Sequence, residues 1–122
     1  MKIEVSIGEI LDKMSILEIK MDKIKDETKL VNIRKEYNYL KDISQQLSFN
    51  IQNYNELLKI NKKLWDIEDN IRDKERNKVF DTEFIELARS VYFTNDKRCE
   101  IKKQINISSN SNFIEEKLYQ KY

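Results

Sequence analysis

The chain has 122 residues, 37% of them charged, with one Gly, no Pro and no His; so little turn punctuation excludes an all-β or α/β design and fits long helices in a single helical domain, residues 1–122. Its 23 basic and 22 acidic side chains nearly cancel, so no strong field draws it to nucleic acid. A lone Cys99 without any histidine excludes disulfides, zinc fingers, Ser-His triads and Cys-His dyads within one chain, which leaves carboxylates, Arg, Lys, Tyr or an added metal ion for any chemistry. No apolar run approaches the roughly 18 residues of a membrane span, and MKIEVSIGEIL lacks a signal-peptide layout, so no membrane association and a cytoplasmic location are expected.

Helix 1 is expected from Ser6, which with Glu9 reads as a capping box, to about Lys25. Behind the cap Ile7, Ile10, Met14, Leu17, Met21 and Ile24 alternate steps of three and four, a heptad seam. Gly8 in the first turn has two readings: a helix N-terminus that receives an anion, or close packing of another helix against a residue without a side chain. The second is the commoner reason for a single glycine.

Asp26 to Thr28 supplies a turn, and Leu30, Ile33, Tyr37, Leu40, Leu47 and Ile51 continue the spacing along helix 2, with Ser44 in a place that wants an apolar residue. SFNIQNYN breaks the helix, and Asn53 with Glu56 forms a second capping box for helix 3, about Tyr54 to Asn77. KVFD is the tight connection. Asp81 caps helix 4, which carries Phe84, Leu87, Ala88 and Val91 and ends in ISSNSN; Asn112 with Glu115 predicts a short terminal helix, Phe113 to about Tyr119. The expected fold is all-α, antiparallel helical hairpins forming a bundle. Long thin helices leave seams uncovered, so a homodimer through helices 1 and 2 is expected.

The stretch Trp65 to Arg98 holds the only Trp, the only Ala (Ala88) and four of the five arginines, Arg72, Arg76, Arg89 and Arg98. Arginines gathered in a lysine-rich chain suggest a need for the bidentate guanidinium. An antiparallel hairpin closing near Val79 to Thr82 sets Trp65 beside Asn95, Glu68 and Asp69 beside Tyr92, and Arg72 beside Arg89. These seven residues are the candidate ligand-binding set. Arg72 and Arg89 would grip a phosphate or carboxylate while Tyr92 and Asn95 orient it. The structural reading of the same residues is a salt-bridged surface and a register-fixing polar network.

Two further readings of the chemistry are weaker, and no metal site is expected. A magnesium site from Asp66, Asp69, Glu83 and Glu86 would resemble all-helical nucleotide pyrophosphohydrolases, but the second half lacks their Glu-x-x-Asp. Arginines inside a short bundle resemble chorismate mutases in architecture, without that family's ordered Arg, Lys, Arg and Gln set. Seam residues such as Met14, Met21, Tyr37 and Phe84, and Cys99 as well, are expected in the core.

With VSIGEILDK, ILEIK, WDIEDNIRDKE, ARSVYFTND and EEKLY in view, nearly the whole chain resembles a small uncharacterised family of bacterial and phage proteins, a domain of unknown function. The resemblance implies a connection to surface-polysaccharide or nucleotide-sugar metabolism and brings no activity, cofactor or catalytic residue with it. The expected function is a non-catalytic helical interaction or assembly module. The alternative is a protein or enzyme that binds a small anion, phosphate, carboxylate or nucleotide-sugar, between helices 3 and 4.

Overall fold

Four helices carry the chain: α1 (Ile7–Lys23), α2 (Glu27–Ser44), α3 (Ile51–Arg76) and α4 (Thr82–Ser108), in a computed structural model that describes residues 1–122. No strand is present, and the helices pack into a bundle. Each begins on a side chain that accepts from a free first-turn N–H: Ser6 from Glu9, Asp26 from Thr28 and Lys29, Asn50 from Gln52, and Asp81 from Phe84. Glu9 does not complete its capping box, because its carboxylate reaches Lys102 Nζ at 2.8 Å. The cap of α3 is Asn50 and not Asn53, so α3 starts three residues earlier than the sequence suggests.

Helix ends have equally local causes. α2 stops at Ser44, whose hydroxyl donates back to the Lys41 carbonyl at 2.7 Å, short of the Leu47 and Ile51 continuation its spacing suggests. α3 and α4 each close on a left-handed residue, Lys78 (φ 56°) and Asn110 (φ 57°). Val79 N–H then bonds Lys74 O at 3.0 Å and Ser111 N–H bonds Asn106 O at 2.8 Å, the six-to-one bond of a Schellman stop. A chain with one glycine must use Lys and Asn for this.

α1 is the centre. It packs against all three other helices, whereas α2 packs on α1 and α3 pairs with α4 along a hairpin. Its apolar seam is covered within the subunit: Leu11 and Met14 with Tyr54, Leu57 and Ile105, and Leu17 with Leu30 and Ile33. The seams of helices 1 and 2 are therefore used largely within the subunit, Ile51 excepted.

The predicted terminal helix does not form; residues 112–122 run without helix back along α4. Ser111 Oγ, the hydroxyl beside the predicted cap, accepts from Ile7 N–H at 3.1 Å and donates to Phe113 O at 2.9 Å, while Asn112 donates to Glu4 at 3.0 Å. Glu115 and Glu116 reach Lys102 and Lys103 at 3.5 and 3.1 Å, and the Tyr122 hydroxyl donates to Asp96. A segment this short gains little from helix formation alone, and these ties to α4 hold it in another path.

Tyr54 and Lys102 make stability sensitive to alkali. Burial and the hydroxyl's bond to Glu18 Oε2, 2.8 Å, hold the Tyr54 pKa well above its ordinary 10.0. Burial opposes the Lys102 charge, but Glu9, Asp12 and Glu115 outweigh it, so its pKa rises above 10.5. Both folded values exceed the unfolded ones, so the stability they add is complete below about pH 10 and is lost as pH rises beyond it. Urea midpoints are expected to stay level from pH 7 to about 9.5 and then fall, with a shallower fall in Tyr54→Phe.

Candidate functional site

One face of α1, Gly8, Asp12, Ser15 and Ile19, is buried along its whole length. A face that mixes glycine, a hydroxyl and a carboxylate lets other helices approach closely but must find partners for its polar atoms. α4 supplies them from a matching line spaced by four: Thr94, Arg98, Lys102 and Asn106. A β-carbon on Gly8 would lie 2.8 Å from Lys102 O and 2.9 Å from Asn106 Oδ1, so the close-packing reading of this glycine holds. The α1 terminus is closed to an anion, because Gly8 N–H donates to Asn106 Oδ1 at 2.7 Å and Ile7 N–H to Ser111.

At the centre of this face sits Asp12, 1% exposed. Arg98 clasps it side-on, Nε to Oδ1 at 3.0 Å and Nη2 to Oδ2. Asn61 Nδ2 from α3 donates to Asp12 Oδ1 at 2.9 Å and Ser15 Oγ at 2.7 Å, and Ser15 donates to Asp12 O at 2.7 Å. Lys102 Nζ stands 3.8 Å from the carboxylate. The bond to Asp12 raises the Arg98 pKa. No buried side-chain nitrogen or oxygen lacks a partner, so the network is complete and joins α1, α3 and α4.

Two cavities flank Arg98, and Asn95 and Arg98 line both. The larger, about 580 Å³, lies between α4 and the C-terminal segment, with Tyr92, Lys102, Lys117, Tyr119 and Tyr122 in its wall. The smaller, about 370 Å³, opens between α1, α3 and α4 over Trp65, Glu68 and Asp69.

The seven residues singled out by sequence therefore separate. Trp65, Glu68, Asp69 and Asn95 do share one groove, at the level the hairpin geometry suggests. Tyr92 faces the other cavity. Arg72 and Arg89 line neither; each pairs with a carboxylate of its own helix, Glu68 at 3.5 Å and Glu86 at 3.1 Å, on the open surface. The arginine set between two helices is Arg98, a member of the Trp65 to Arg98 cluster outside those seven. Asp12 lies beside the heptad seam, and in the sequence only the Gly8, Asp12, Ser15 spacing of four and three points to it. Cys99 is half-buried in the wall of the larger cavity and not in the core.

No three Cys, Asp or Glu side chains converge to hold a metal ion. Of the four carboxylates considered for magnesium, Glu83 and Glu86 are taken by Lys74 and Arg89. No helix is long and apolar enough to cross a membrane.

Among known proteins, a family model described as a family of unknown function (DUF6165) matches residues 1–122, and the chain belongs to that family. No curated protein and no solved structure matches it.

Proposed function

We propose that this member of the family is a non-catalytic assembly module that pairs with a second copy of itself through the α3–α4 hairpin. One observation carries the reading: between Glu68 and Phe93 no side chain is fully buried. This part of the hairpin is an arm beyond the reach of α1. Ile71, Phe84, Leu87 and Val91 are only half-covered, and Val79, Phe80, Ile85, Tyr92 and Phe93 are 39–56% exposed. Ile85, Ala88 and Tyr92 recur at steps of three and four, so they form one stripe on α4 beside the seam it shares with α3.

The cations around the stripe are all paired within the arm: Arg72 with Glu68, Arg76 with Asp73, Lys78 with Glu75, Lys74 with Asp81 and Glu83, and Arg89 with Glu86. The seven carboxylates of the arm exceed its five cations by two, so it is the apolar stripe, and not the charges, that suits a partner's apolar surface. A second arm related by a two-fold axis offers that surface and turns two hairpins into a four-helix bundle. The Asp12 network supports the same reading, since its buried polar atoms already serve packing.

Sedimentation equilibrium tests it. A dimer is expected at about 50 μM, corresponding to a micromolar dissociation constant, and Ile85→Glu or Phe80→Glu is expected to weaken it at least about tenfold while leaving the helical circular dichroism unchanged. A monomeric native chain at that concentration would overturn the proposal.

A further inference from the structure

We infer that the cleft between α4 and the C-terminal segment binds a phosphomonoester carried on an aromatic ring, with the free edge of Arg98 as its anchor. The inference does not rest on self-association. A guanidinium has five N–H donors, and Asp12 takes one from Nε and one from Nη2, so five less two leaves three. Nη1 makes no hydrogen bond to the protein, and Arg98 lines the cleft. Asp12 thereby fixes a half-used guanidinium, whose remaining donors suit an oxyanion.

Lys102 and Lys117 stand in the same wall, and the only carboxylate there, Asp96, accepts from Tyr122. Arg98 and Lys102 already meet Asp12 and Glu9, so the one exchangeable counter-charge beside the cleft is Glu115. Glu115 marks the place an oxyanion takes, for its carboxylate bridges Lys117 Nζ at 3.0 Å and Lys102 Nζ at 3.5 Å while itself half-exposed. A ligand phosphate displaces this tethered carboxylate from the two ammonium groups.

Three tyrosines share the wall. Tyr92 and Tyr122 meet edge to face at 5.2 Å, and Tyr119, 71% exposed, lines the same cleft. Exposed tyrosine rings beside a cationic floor offer a flat apolar group a surface to stack on. The volume, about 580 Å³, falls in the range of small-molecule sites.

Phenyl phosphate titrated calorimetrically into the full chain tests this, with inorganic phosphate and phenol as its two halves. Saturable binding of phenyl phosphate is expected, with each half at least about tenfold weaker. Lys117→Ala and Tyr119→Ala, both in the C-terminal segment away from the Asp12 network, are each expected to weaken it about fivefold, and Glu115→Gln to tighten it about threefold by removing the competing carboxylate. Arg98→Lys, which keeps a charge for Asp12 but loses the free edge, is expected to abolish it. No saturable binding up to about 5 mM, equal binding of inorganic phosphate, or indifference to Lys117→Ala and Glu115→Gln in chains with native circular dichroism would each overturn the inference.

Discussion

Asp12→Ala is expected to destabilise the fold by about 3–5 kcal/mol, because it strands a partly buried cation rather than merely deleting a contact. Arg98 would keep its charge with no carboxylate to meet it, and Asn61 would lose one of its two acceptors. For a domain of ordinary marginal stability this is a large share of the total and corresponds to a drop of roughly 10–20 °C in Tm. Urea unfolding followed by circular dichroism and by Trp65 fluorescence measures it. The companion variant Asp12→Leu with Arg98→Met removes both charges and is expected to recover at least about half of the loss, since an apolar pair of similar size is often tolerated where a broken pair is not. If the double variant were no better than Asp12→Ala, the cost would lie in packing and the ion-pair account would fail.

Gly8→Ala is the second large effect, about 1–3 kcal/mol of destabilisation from overpacking, although alanine is normally the better helix former. The added methyl group meets Lys102 O at 2.8 Å. This is a backbone atom inside α4, so it cannot swing aside as the end of a flexible side chain would. It also meets Asn106 Oδ1 at 2.9 Å, the acceptor for the Gly8 N–H. Asn106→Ala leaves that N–H buried without a partner, at about 1–3 kcal/mol. The two changes break one joint, so their sum should exceed the double variant's loss. Additive losses would show that the glycine and the asparagine act separately.

Both effects belong to a face of α1 that the heptad pattern passes over. The pattern picks out Ile7, Met14 and Leu17 because apolar periodicity registers burial against the nearest neighbours, and Met14 and Leu17 are indeed buried. A helix surrounded on several sides has further buried faces, and on those the requirement is small size and satisfied polarity, which hydrophobic spacing does not detect. The arginines illustrate the same limit. Four of them fall in one hairpin, yet a guanidinium becomes buried only where a third helix crosses, and α1 reaches Arg98 but not Arg72 or Arg89.

The C-terminal segment departs for a related reason. Asn112 and Glu115 have the spacing of a capping box, but Asn112 is drawn to Glu4 and Glu115 to Lys102 and Lys117, groups far away in the chain. Local rules specify a helix only when no tertiary partner outbids them.

By itself, the sequence determined the helices, most of their caps and the apolar seams, because these depend on interactions within a few residues of one another. It also set the level at which Trp65 and Asn95 meet, since a hairpin closed by a short turn fixes register along both helices. Only the tertiary structure decided which polar side chains became partners, that Gly8 receives α4 and not an anion, and that the terminal segment lies along α4 to form a cleft. Each of these depends on the crossing of α1 over the α3–α4 hairpin, which brings together residues some 90 positions apart, such as Asp12 with Arg98 and Gly8 with Asn106.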